Sequence, residues 1–392
     1  MYAPKLTLDA LYGTAPLYSA RASDRRCRWL VSDEVVRDAL AGGLLPMAGE
    51  LAMLCSRSSL TPRCRELLGR AGLAPGGPVE LFDGPEDYAR ALRDLSRERR
   101  VVVHYRHAPE ELPDERYWIP AALLDALSDK ARLAEWVPAE RLARRTVVSA
   151  AALAAGAPLP LPVVVKTAGD APSAGGYGVR ICHSEGAVIG AARAFADVPA
   201  VVVEEQLAFE RNLCLHYGVD RAGTITFLAG AEQVIGADGR HGGNWLESAR
   251  PVPKDAVDTG LAVCAAAWRR GYHGLAGIDV LVLGDGSHRV VDLNFRVNAS
   301  SGPALLWESI QRRLGPLVAR SLRFRLAEGL RAGRPRLASW IDAGRLLPLA
   351  LCDTDQGIWH GRPAWMHALV LGESRSDVGA WLRSVGLPDR QA

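Results

Sequence analysis

Side chains suited to binding metal and phosphate alternate along one short stretch, V-V-D-L-N-F-R-V-N, at residues 290–298. Asp292, Asn294, Arg296 and Asn298 occupy every second position, so a β-strand would carry them on one face and apolar residues on the other. Carboxylate and amide oxygens suit Mg²⁺, which usually shares its coordination with substrate phosphates. A guanidinium suits a phosphoryl or acyl-phosphate oxygen. Taken alone, the pattern fits an edge strand with a solvated polar face equally well.

A second acidic residue lies upstream in a segment that also alternates. Residues 277–282 predict a strand with Asp279 on its polar face, and the turn at residues 284–287 then reverses the chain. The two strands predict a hairpin that brings Asp279 and Asp292 to the same side, with Asn294 beside them. Two carboxylates and one amide from adjacent strands could hold one or two Mg²⁺ ions that bridge nucleotide phosphates.

The lysines give an independent signal. Of the 47 basic residues only four are lysine: Lys5, Lys130, Lys166 and Lys254. Because the chain uses arginine by default, a retained lysine indicates a need for a compact point charge, which is how lysine binds phosphate. Lys130 stands at the start of a predicted helix, and Lys166 ends the strand predicted at residues 161–166. Genomic bias and chance are enough to explain Lys5 and Lys254.

A glycine-rich segment follows Lys166. Residues 167–179 include Gly175, Gly176 and Gly178 and read as a mobile loop whose backbone N–H groups can close over a triphosphate. The segment is not a P-loop, because no G-K-[ST] follows it. A plain hairpin turn is the alternative interpretation.

These features together resemble the ATP-grasp ligases, a family that includes biotin carboxylase, D-alanine–D-alanine ligase and natural-product peptide ligases. The resemblance runs from about residue 130 to residue 298. It implies ATP and Mg²⁺ as cofactors, with a phosphate lid formed by the glycine-rich loop. The site residues that it implies are Lys130 and Lys166 for the ATP phosphates, Asp279, Asp292 and Asn294 for Mg²⁺, and Arg296 for the transferred phosphoryl group or acyl phosphate.

The same resemblance implies an adenine site in the segment V-V-V-E-E-Q-L that ends at Leu207. By that match Glu204, Glu205 and Leu207 line the adenine, and Glu210 reaches the ribose. The side chains could equally face water, because backbone groups alone can read the adenine edge. Arg211, in the strand that follows, is a candidate for substrate binding.

Two further residues are candidates for contact with substrate. Asn298 continues the polar face of the hairpin, and His104 stands near the end of a buried strand predicted at residues 101–105, where ligands collect in open sheets. Together with His107, His104 also invites a metal interpretation, but no other residue nearby has ligand spacing.

The predicted fold class is α/β, an ATP-grasp fold with α+β lobes behind an open-sheet N-terminal domain. Four units are expected: residues 1–128, 129–205 with the lid, 206–335 with the metal hairpin, and a C-terminal extension at 336–392. Within them the sequence predicts a first strand at residues 29–32, a substrate loop at 238–245 and one long helix at 305–330.

Composition limits the class of protein. Hydrophobic residues make up 48% and charged residues 23%, and a net charge of +3 gives no reason to expect nucleic-acid or membrane partners. The seven cysteines are scattered without a C-x-x-C pair, which favours reduced thiols and a cytoplasmic location. The N-terminus lacks the apolar segment of a signal peptide.

The predicted function is that of an ATP-dependent ligase. It phosphorylates a small-molecule carboxylate and transfers the acyl group to an amine, with release of ADP and phosphate. Two alternatives stay open: transfer to the thiol of a carrier protein, and a regulatory protein that binds nucleotide without catalysis. The sequence does not identify the substrates, and it leaves a homodimer open.

Overall fold

The structure is a computed structural model that describes residues 1–169, 172–236, 239–315 and 317–387. Part of the glycine-rich loop (170–171), Asp238 of the predicted substrate loop and residues 388–392 of the predicted extension therefore lie outside the described residues. The described chain forms three β-sheets with helices packed against them, so the predicted α/β class is confirmed.

The N-terminal sheet is parallel, with strand order β3-β2-β1-β4. Its strands are apolar and mostly buried, as expected when helices cover both faces of a parallel sheet. The strands are β1 (Leu17–Ser19), β2 (Ala52–Ser56), β3 (Val79–Phe82) and β4 (Val101–Val103), and the helices are α1 (Leu8–Tyr12), α2 (Glu34–Ala39), α3 (Pro62–Arg70), α4 (Gly84–Leu95) and α5 (Ala121–Ser128).

A small antiparallel sheet follows, with order β5-β8-β6-β7 and with two helices on one face. Its valine-rich strands and these helices bury an apolar core separate from that of the other two sheets. The elements are β5 (Arg145–Val148), α6 (Ala150–Ala154), β6 (Val163–Ala168), β7 (Val179–Cys182), α7 (Glu185–Ala194) and β8 (Ala200–Glu205).

The third sheet has eight antiparallel strands in the order β13-β12-β9-β10-β11-β14-β16-β15. It shares one continuous apolar core with the N-terminal sheet. Its strands are β9 (Arg211–Val219), β10 (Ile225–Ile235), β11 (His241–Glu247), β12 (Gly274–Val282), β13 (His288–Asn294), β14 (Val318–Leu326), β15 (Leu346–Cys352) and β16 (Ala364–Gly372), and its helices are α8 (Lys254–Arg269), α9 (Ser301–Leu314), α10 (Gly329–Asp342) and α11 (Arg375–Ser384).

Three local predictions were wrong. Residues 29–32 are not a strand; Trp29 makes only an isolated bridge to Ser173 and packs on Phe195. The predicted substrate loop is largely strand β11. The predicted helix at 305–330 is α9 followed by strand β14, because α9 ends at Gly315 with φ +77°, a conformation that favours glycine.

The strands of the predicted C-terminal extension, β15 and β16, belong to the same sheet as the metal hairpin. β16 pairs along the whole of β14, and the predicted boundary at residue 335 falls inside α10. In the described part of the chain, no helix is both long enough and apolar enough to cross a membrane.

Candidate active site

A cavity of about 570 Å³ lies where the three sheets meet. Its walls come from β6 and the glycine-rich loop of the small sheet, from the hairpin end of the eight-stranded sheet, and from the segment after β4 of the parallel sheet. Most of the predicted site residues line this cavity, and they are Lys130, Lys166, Gly175, Gly176, Gly178, Asp279, Asp292, Asn294, Arg296, Asn298 and His104.

The hairpin of β12 and β13 brings the acidic residues together as the alternation predicted. Asp279 pairs directly with Asp292 in the strand register, and Gly277 pairs with Asn294. The Asn294 side-chain amide donates to Asp279 Oδ2 at 3.2 Å. Asp279 Oδ1 is buried and makes no hydrogen bond of good geometry within the described chain, so one carboxylate oxygen of the pair is left for a ligand.

The two carboxylates differ in their electrostatic surroundings. Burial and the neighbouring charge of Asp292 raise the pKa of Asp279 to about 6. Burial also works against ionisation of Asp292, but Lys130 and Lys166 more than offset it, and the pKa of Asp292 is lowered. Two carboxylates placed opposite each other repel when both are ionised, and a divalent cation between them would remove that repulsion.

The residues present fit a magnesium site. No group of three or more His, Cys, Asp and Glu side chains in the described residues could hold a metal. The hairpin instead offers two carboxylates and the amide of Asn294. Mg²⁺ in proteins usually has only a few protein ligands of this kind, and water and substrate phosphates complete its coordination.

Both predicted lysines reach the hairpin. Lys130 precedes Ala131 in a 3-10 turn that is capped by Asp129, and its Nζ lies 2.7 and 2.6 Å from the two oxygens of Asp292. Lys166 Nζ donates to the backbone oxygen of Val291 at 2.9 Å. The two ammonium groups therefore stand at the acid pair, on the side that faces the small sheet.

Arg296 lies directly beyond the metal hairpin. Its guanidinium donates to Asn294 Oδ1 at 2.7 Å and lies 4.6 Å from the centre of the Tyr105 ring. These contacts hold the guanidinium in the cavity wall next to the oxygen donors. A planar cation at this position can contact an anion that is also close to the acid pair.

His104 lines the cavity as a neutral side chain. Its Nε2 lies 2.5 Å from the hydroxyl of Tyr18. Burial, followed by the nearby charges of Arg296 and His107, lowers the pKa of His104 to about 3. His107 contacts the hydroxyl of Tyr88 rather than sharing a ligand with His104.

The glycine-rich loop needs glycine for its backbone. Gly175 and Gly176 have φ values of +62° and +81°. A Cβ on Gly176 would come within 2.3 Å of the backbone oxygen of Gly239, and one on Gly178 within 2.4 Å of Thr167 Oγ1. The loop therefore packs closely on the turn before β11, where the Arg240 guanidinium also covers the Tyr177 ring at 4.5 Å.

The residues predicted to surround adenine and substrate at β8 and β9 do not line the described cavity. Glu204 is buried and pairs with Lys166 at 2.5 Å, so it positions that lysine. Glu205 accepts from the backbone of Arg144. Leu207 is half-buried and Glu210 is exposed, both in the linker that follows β8.

Two of the predicted substrate residues have structural contacts instead. Arg211 points to the outer side of β9, where it donates to the backbone oxygens of Pro251 and Arg250 and pairs with Glu232. Asn298 lines the cavity, but its side-chain oxygen accepts from the residues that open α9. Substrate binding by Arg211 stays a prediction, and these contacts already use its guanidinium.

Three cavity residues were missed, and they are Arg323, His367 and Trp365, which reach the cavity from β14 and β16. His241 of β11 also lines the cavity, and it lies in the segment predicted as a substrate loop. The segment of Arg323 favours a helix in sequence, and the strand of the other two carries no motif. The period-two alternation of L-R-F-R-L around Arg323 was the one signal that could have found it.

Comparison with known proteins gives two matches to family models. One family model, described as the ATP-grasp domain of L-aspartate--L-methionine ligase, matches residues 143–294. A second, described as the N-terminal domain of the same ligase, matches residues 7–125. The two matches together span more than half of the chain.

Solved structures show the same fold at low identity. The N5-carboxyaminoimidazole synthetase from Staphylococcus aureus, complexed with ADP, has a TM-score of 0.59 and 13% identity, with 98% of each chain covered. The biotin carboxylase from Campylobacter jejuni has a TM-score of 0.58 and 13% identity, covering 97% of this chain and 92% of its own. An L-amino acid ligase from Bacillus licheniformis has a TM-score of 0.55 and 12% identity, covering 95% and 97%.

The matched nucleotide-binding model and the shared fold show that the chain belongs to the ATP-grasp superfamily. Both matching models describe a single ligase within it, the L-aspartate--L-methionine ligase. The predicted resemblance is confirmed, and so is the predicted function as an ATP-using enzyme that forms an amide bond.

The packing of the lid yields a test. Gly176→Ala places a side chain on a backbone at φ +81° and against the Gly239 oxygen, so the lid should shift away from its closed position. We expect the KM for ATP to rise about tenfold, equivalent to about 1.4 kcal/mol, in steady-state assays of ADP release.

Gly190→Ala is the matched control, because Gly190 lies in α7 with no atom near its Cβ position. Alanine there should leave KM unchanged and stabilise the helix by about 1 kcal/mol; equal kinetic effects of the two substitutions would contradict a special role for the lid.

Proposed function

We propose that this enzyme joins L-aspartate to L-methionine in a peptide bond, with hydrolysis of ATP to ADP and phosphate. The proposal rests on two family models for the same ligase, which match the two parts of the chain that line the cavity. The match includes the N-terminal domain, which supplies His104 and Tyr105, as well as the nucleotide-binding part. A match limited to the nucleotide-binding part would support ATP use but not a substrate pair.

In this proposal the adenine lies between apolar side chains of the two lobes. Val164 and Ile181 contribute one wall, and Phe209 and Val291 the other. Phe209 is half-exposed in the linker after β8, as expected for an apolar residue that a ligand covers. The backbone of the linker through Glu205 and Leu207 reads the adenine edge, and Glu210 reaches the ribose.

The triphosphate lies under the lid glycines Gly175, Gly176 and Gly178, next to Lys130 and Lys166. Backbone N–H groups in such a loop contact phosphate oxygens, and the lysines supply point charges. Lys130 is paired with Asp292. On binding, its ammonium group exchanges that carboxylate for a phosphate oxygen.

Asp279, Asp292 and Asn294 would hold Mg²⁺, and the unpaired Asp279 Oδ1 supports this assignment. Bound Mg²⁺ supplies positive charge that offsets the charge of the phosphates during transfer. The protein groups act through position. The hairpin fixes the two carboxylates opposite each other, and Lys130 neutralises Asp292 until the ion and nucleotide arrive.

The reaction has two steps. A carboxylate oxygen of the first amino acid attacks the γ-phosphorus, the bond to the ADP oxygen breaks, and an acyl phosphate forms. The neutral amine of the second amino acid then forms the C–N bond while the C–O bond to phosphate breaks, and one amine proton passes to solvent. Arg296 stabilises the charge that develops on the transferring phosphoryl group, an effect of fixed position and electrostatics.

The direct experiment is ADP release by the purified enzyme with ATP, Mg²⁺, aspartate and methionine, with the product identified by mass spectrometry. We expect ADP and an aspartyl-methionine dipeptide in equal amounts, and little ADP when either amino acid is omitted. AMP and pyrophosphate as products, or ADP release without a dipeptide, would contradict the proposal. A pool of other amino acids in the same assay tests the substrate pair separately from the reaction type.

The cellular location and the alternative acceptors also belong to this proposal. All seven cysteines are free thiols, which is in keeping with a reducing, cytoplasmic location. The sequence alone left a carrier-protein thiol as acceptor and a non-catalytic regulatory role open, and the ligase family that matches both domains favours amide formation over these two. A thioester product or the absence of ADP release in the assay above would favour one or the other.

The acid pair predicts opposite effects on activity and stability. Asp279→Asn should abolish turnover because the metal loses a charged ligand, yet it should stabilise the ligand-free protein because it removes repulsion from Asp292. We expect the midpoint of thermal unfolding near pH 7.5 to rise by about 2 °C, measured without nucleotide and Mg²⁺. Asp94→Asn, on the exposed surface of α4, is the control and should change neither quantity. Near-normal ADP release by Asp279→Asn at saturating Mg²⁺ would remove the basis for the metal site.

The role of Arg296 predicts a split between rate and affinity. Arg296→Ala should leave ATP binding within a few fold while kcat falls by roughly 10²-fold, the effect of losing one fixed charge-stabilising donor. Hydroxylamine should trap the acyl phosphate as a hydroxamate when wild-type enzyme receives ATP and aspartate alone, and the variant should yield little. A variant whose single defect is a raised KM for ATP would instead make Arg296 a ground-state phosphate anchor.

A further inference from the structure

Arg323 projects from β14 into the cavity without an ionic partner. Among the described residues it makes no ion pair and no hydrogen bond, whereas Arg325, two positions along the strand, pairs with Asp33. Arg323 is exposed and lines the cavity, and desolvation by the neighbouring protein lowers the pKa of Arg323. A guanidinium held in a cavity without a counter-ion is a binding group for an anion.

The neighbours of Arg323 leave its charge unbalanced. His367 is the residue opposite Arg323 on β16, and its Nε2 lies 2.8 Å from Ser321 Oγ. His241 contacts Asn244 Oδ1 at 2.9 Å. Burial, followed by the charge of Arg323, lowers the pKa of both histidines, to about 4 for His241. Both imidazoles are therefore neutral near pH 7, and no acid among the described residues pairs with the guanidinium.

An apolar wall adjoins this cation in the same cavity. It is built from the N-terminal domain and from strands β15 and β16, and its residues are Leu40, Gly43, Leu44, Leu349, Ala350 and Trp365. These apolar residues are called the acceptor wall here, and Arg323 borders them. A cation beside an apolar surface fits an amino acid that carries a carboxylate and an apolar side chain.

Arg296 and Arg323 lie in different parts of one cavity. Arg296 lies over the ring of Tyr105, and Tyr105 and Arg323 both line the cavity. The cavity therefore holds two guanidinium groups, one next to the hairpin of β12 and β13 and the other next to the acceptor wall. An anion next to Arg296 can therefore react with the phosphoryl group, while a second anion next to Arg323 is bound without reacting.

We propose that Arg323 binds the α-carboxylate of the amino acid that supplies the amine, and that the acceptor wall receives its apolar side chain. The inference rests on the proposed function and names the site of one of its two substrates. The acceptor keeps its carboxylate throughout the reaction, so a permanent counter-ion suits it. The donor's reacting carboxylate must lie at Arg296, and the second carboxylate of aspartate brings no apolar group to contact the wall.

The test compares methionine with methioninamide, which lacks the negative charge. Arg323→Gln should raise the KM for methionine about 100-fold and leave the KM values for ATP and aspartate within about threefold. Wild-type enzyme should prefer methionine to methioninamide by about 100-fold in kcat/KM, and the variant should use both nearly equally. Retention of the full preference by the variant would overturn the assignment, as would a rise in the KM for aspartate instead of methionine.

Two controls keep the test specific. Arg325→Gln changes the same residue type on the same strand outside the cavity and should leave the KM for methionine unchanged. The thermal midpoint of ligand-free Arg323→Gln should equal or exceed that of wild type, because no ion pair is lost. A large fall in that midpoint would indicate a structural arginine.

The first half-reaction separates this inference from the proposed function. Arg323→Gln should form hydroxamate from ATP, aspartate and hydroxylamine at the wild-type rate, because no acceptor takes part. If wild-type enzyme forms neither hydroxamate nor dipeptide, the proposed function fails. The inference is then decided by calorimetric titration of methionine into the enzyme with a non-hydrolysable ATP analogue. A Kd that is equal for wild type and Arg323→Gln, or no binding to wild type, would overturn it.

Discussion

The repulsion between two carboxylates on one hairpin is the constraint on which the rest of the site depends. Asp279 and Asp292 face each other across β12 and β13 and are only partly exposed, so water screens their charges incompletely. Antiparallel pairing of β12 with both β13 and β9 holds this arrangement in place. Two like charges that are held together in this way need positive charge nearby.

This positive charge comes from lysine side chains that lie outside the hairpin's own sheet. Lys166 belongs to the small sheet, which has an apolar core of its own, and Lys130 lies in the connection that precedes it. Polar contacts such as Lys130 with Asp292 and Lys166 with Val291 therefore join the small lobe to the hairpin. With the proposed binding of phosphate by the same ammonium groups, nucleotide binding and lobe position would be coupled through one set of charges.

The sequence predicted the parts of the site whose geometry is local. The hairpin, the lysine at the end of β6 and the lid glycines follow from alternation, spacing and backbone preference over a few residues. Glu204 was expected at adenine, but its partner is Lys166 on the neighbouring strand. Arg211 was expected in the site, but Glu232 holds it on the other side of β9. Both outcomes depend on which strands become neighbours, and a single sequence does not encode that order in any short pattern.

The same distinction separates chemistry from specificity in this fold. Phosphoryl transfer requires fixed charges at fixed spacing, so its residues lie close together on one hairpin and leave a recognisable pattern. Substrate recognition requires a cavity wall, and the wall here is drawn from β11, β14, β15 and β16 and from the N-terminal domain. Arg323 stands in a segment whose many arginines suggested an exposed helix, and pairing of β14 with β16 is what places it opposite His367. With the proposed assignment of Arg323, the C-terminal strands, which carry no motif, are the part of the chain where a change of side chain would alter the substrate and leave the reaction intact.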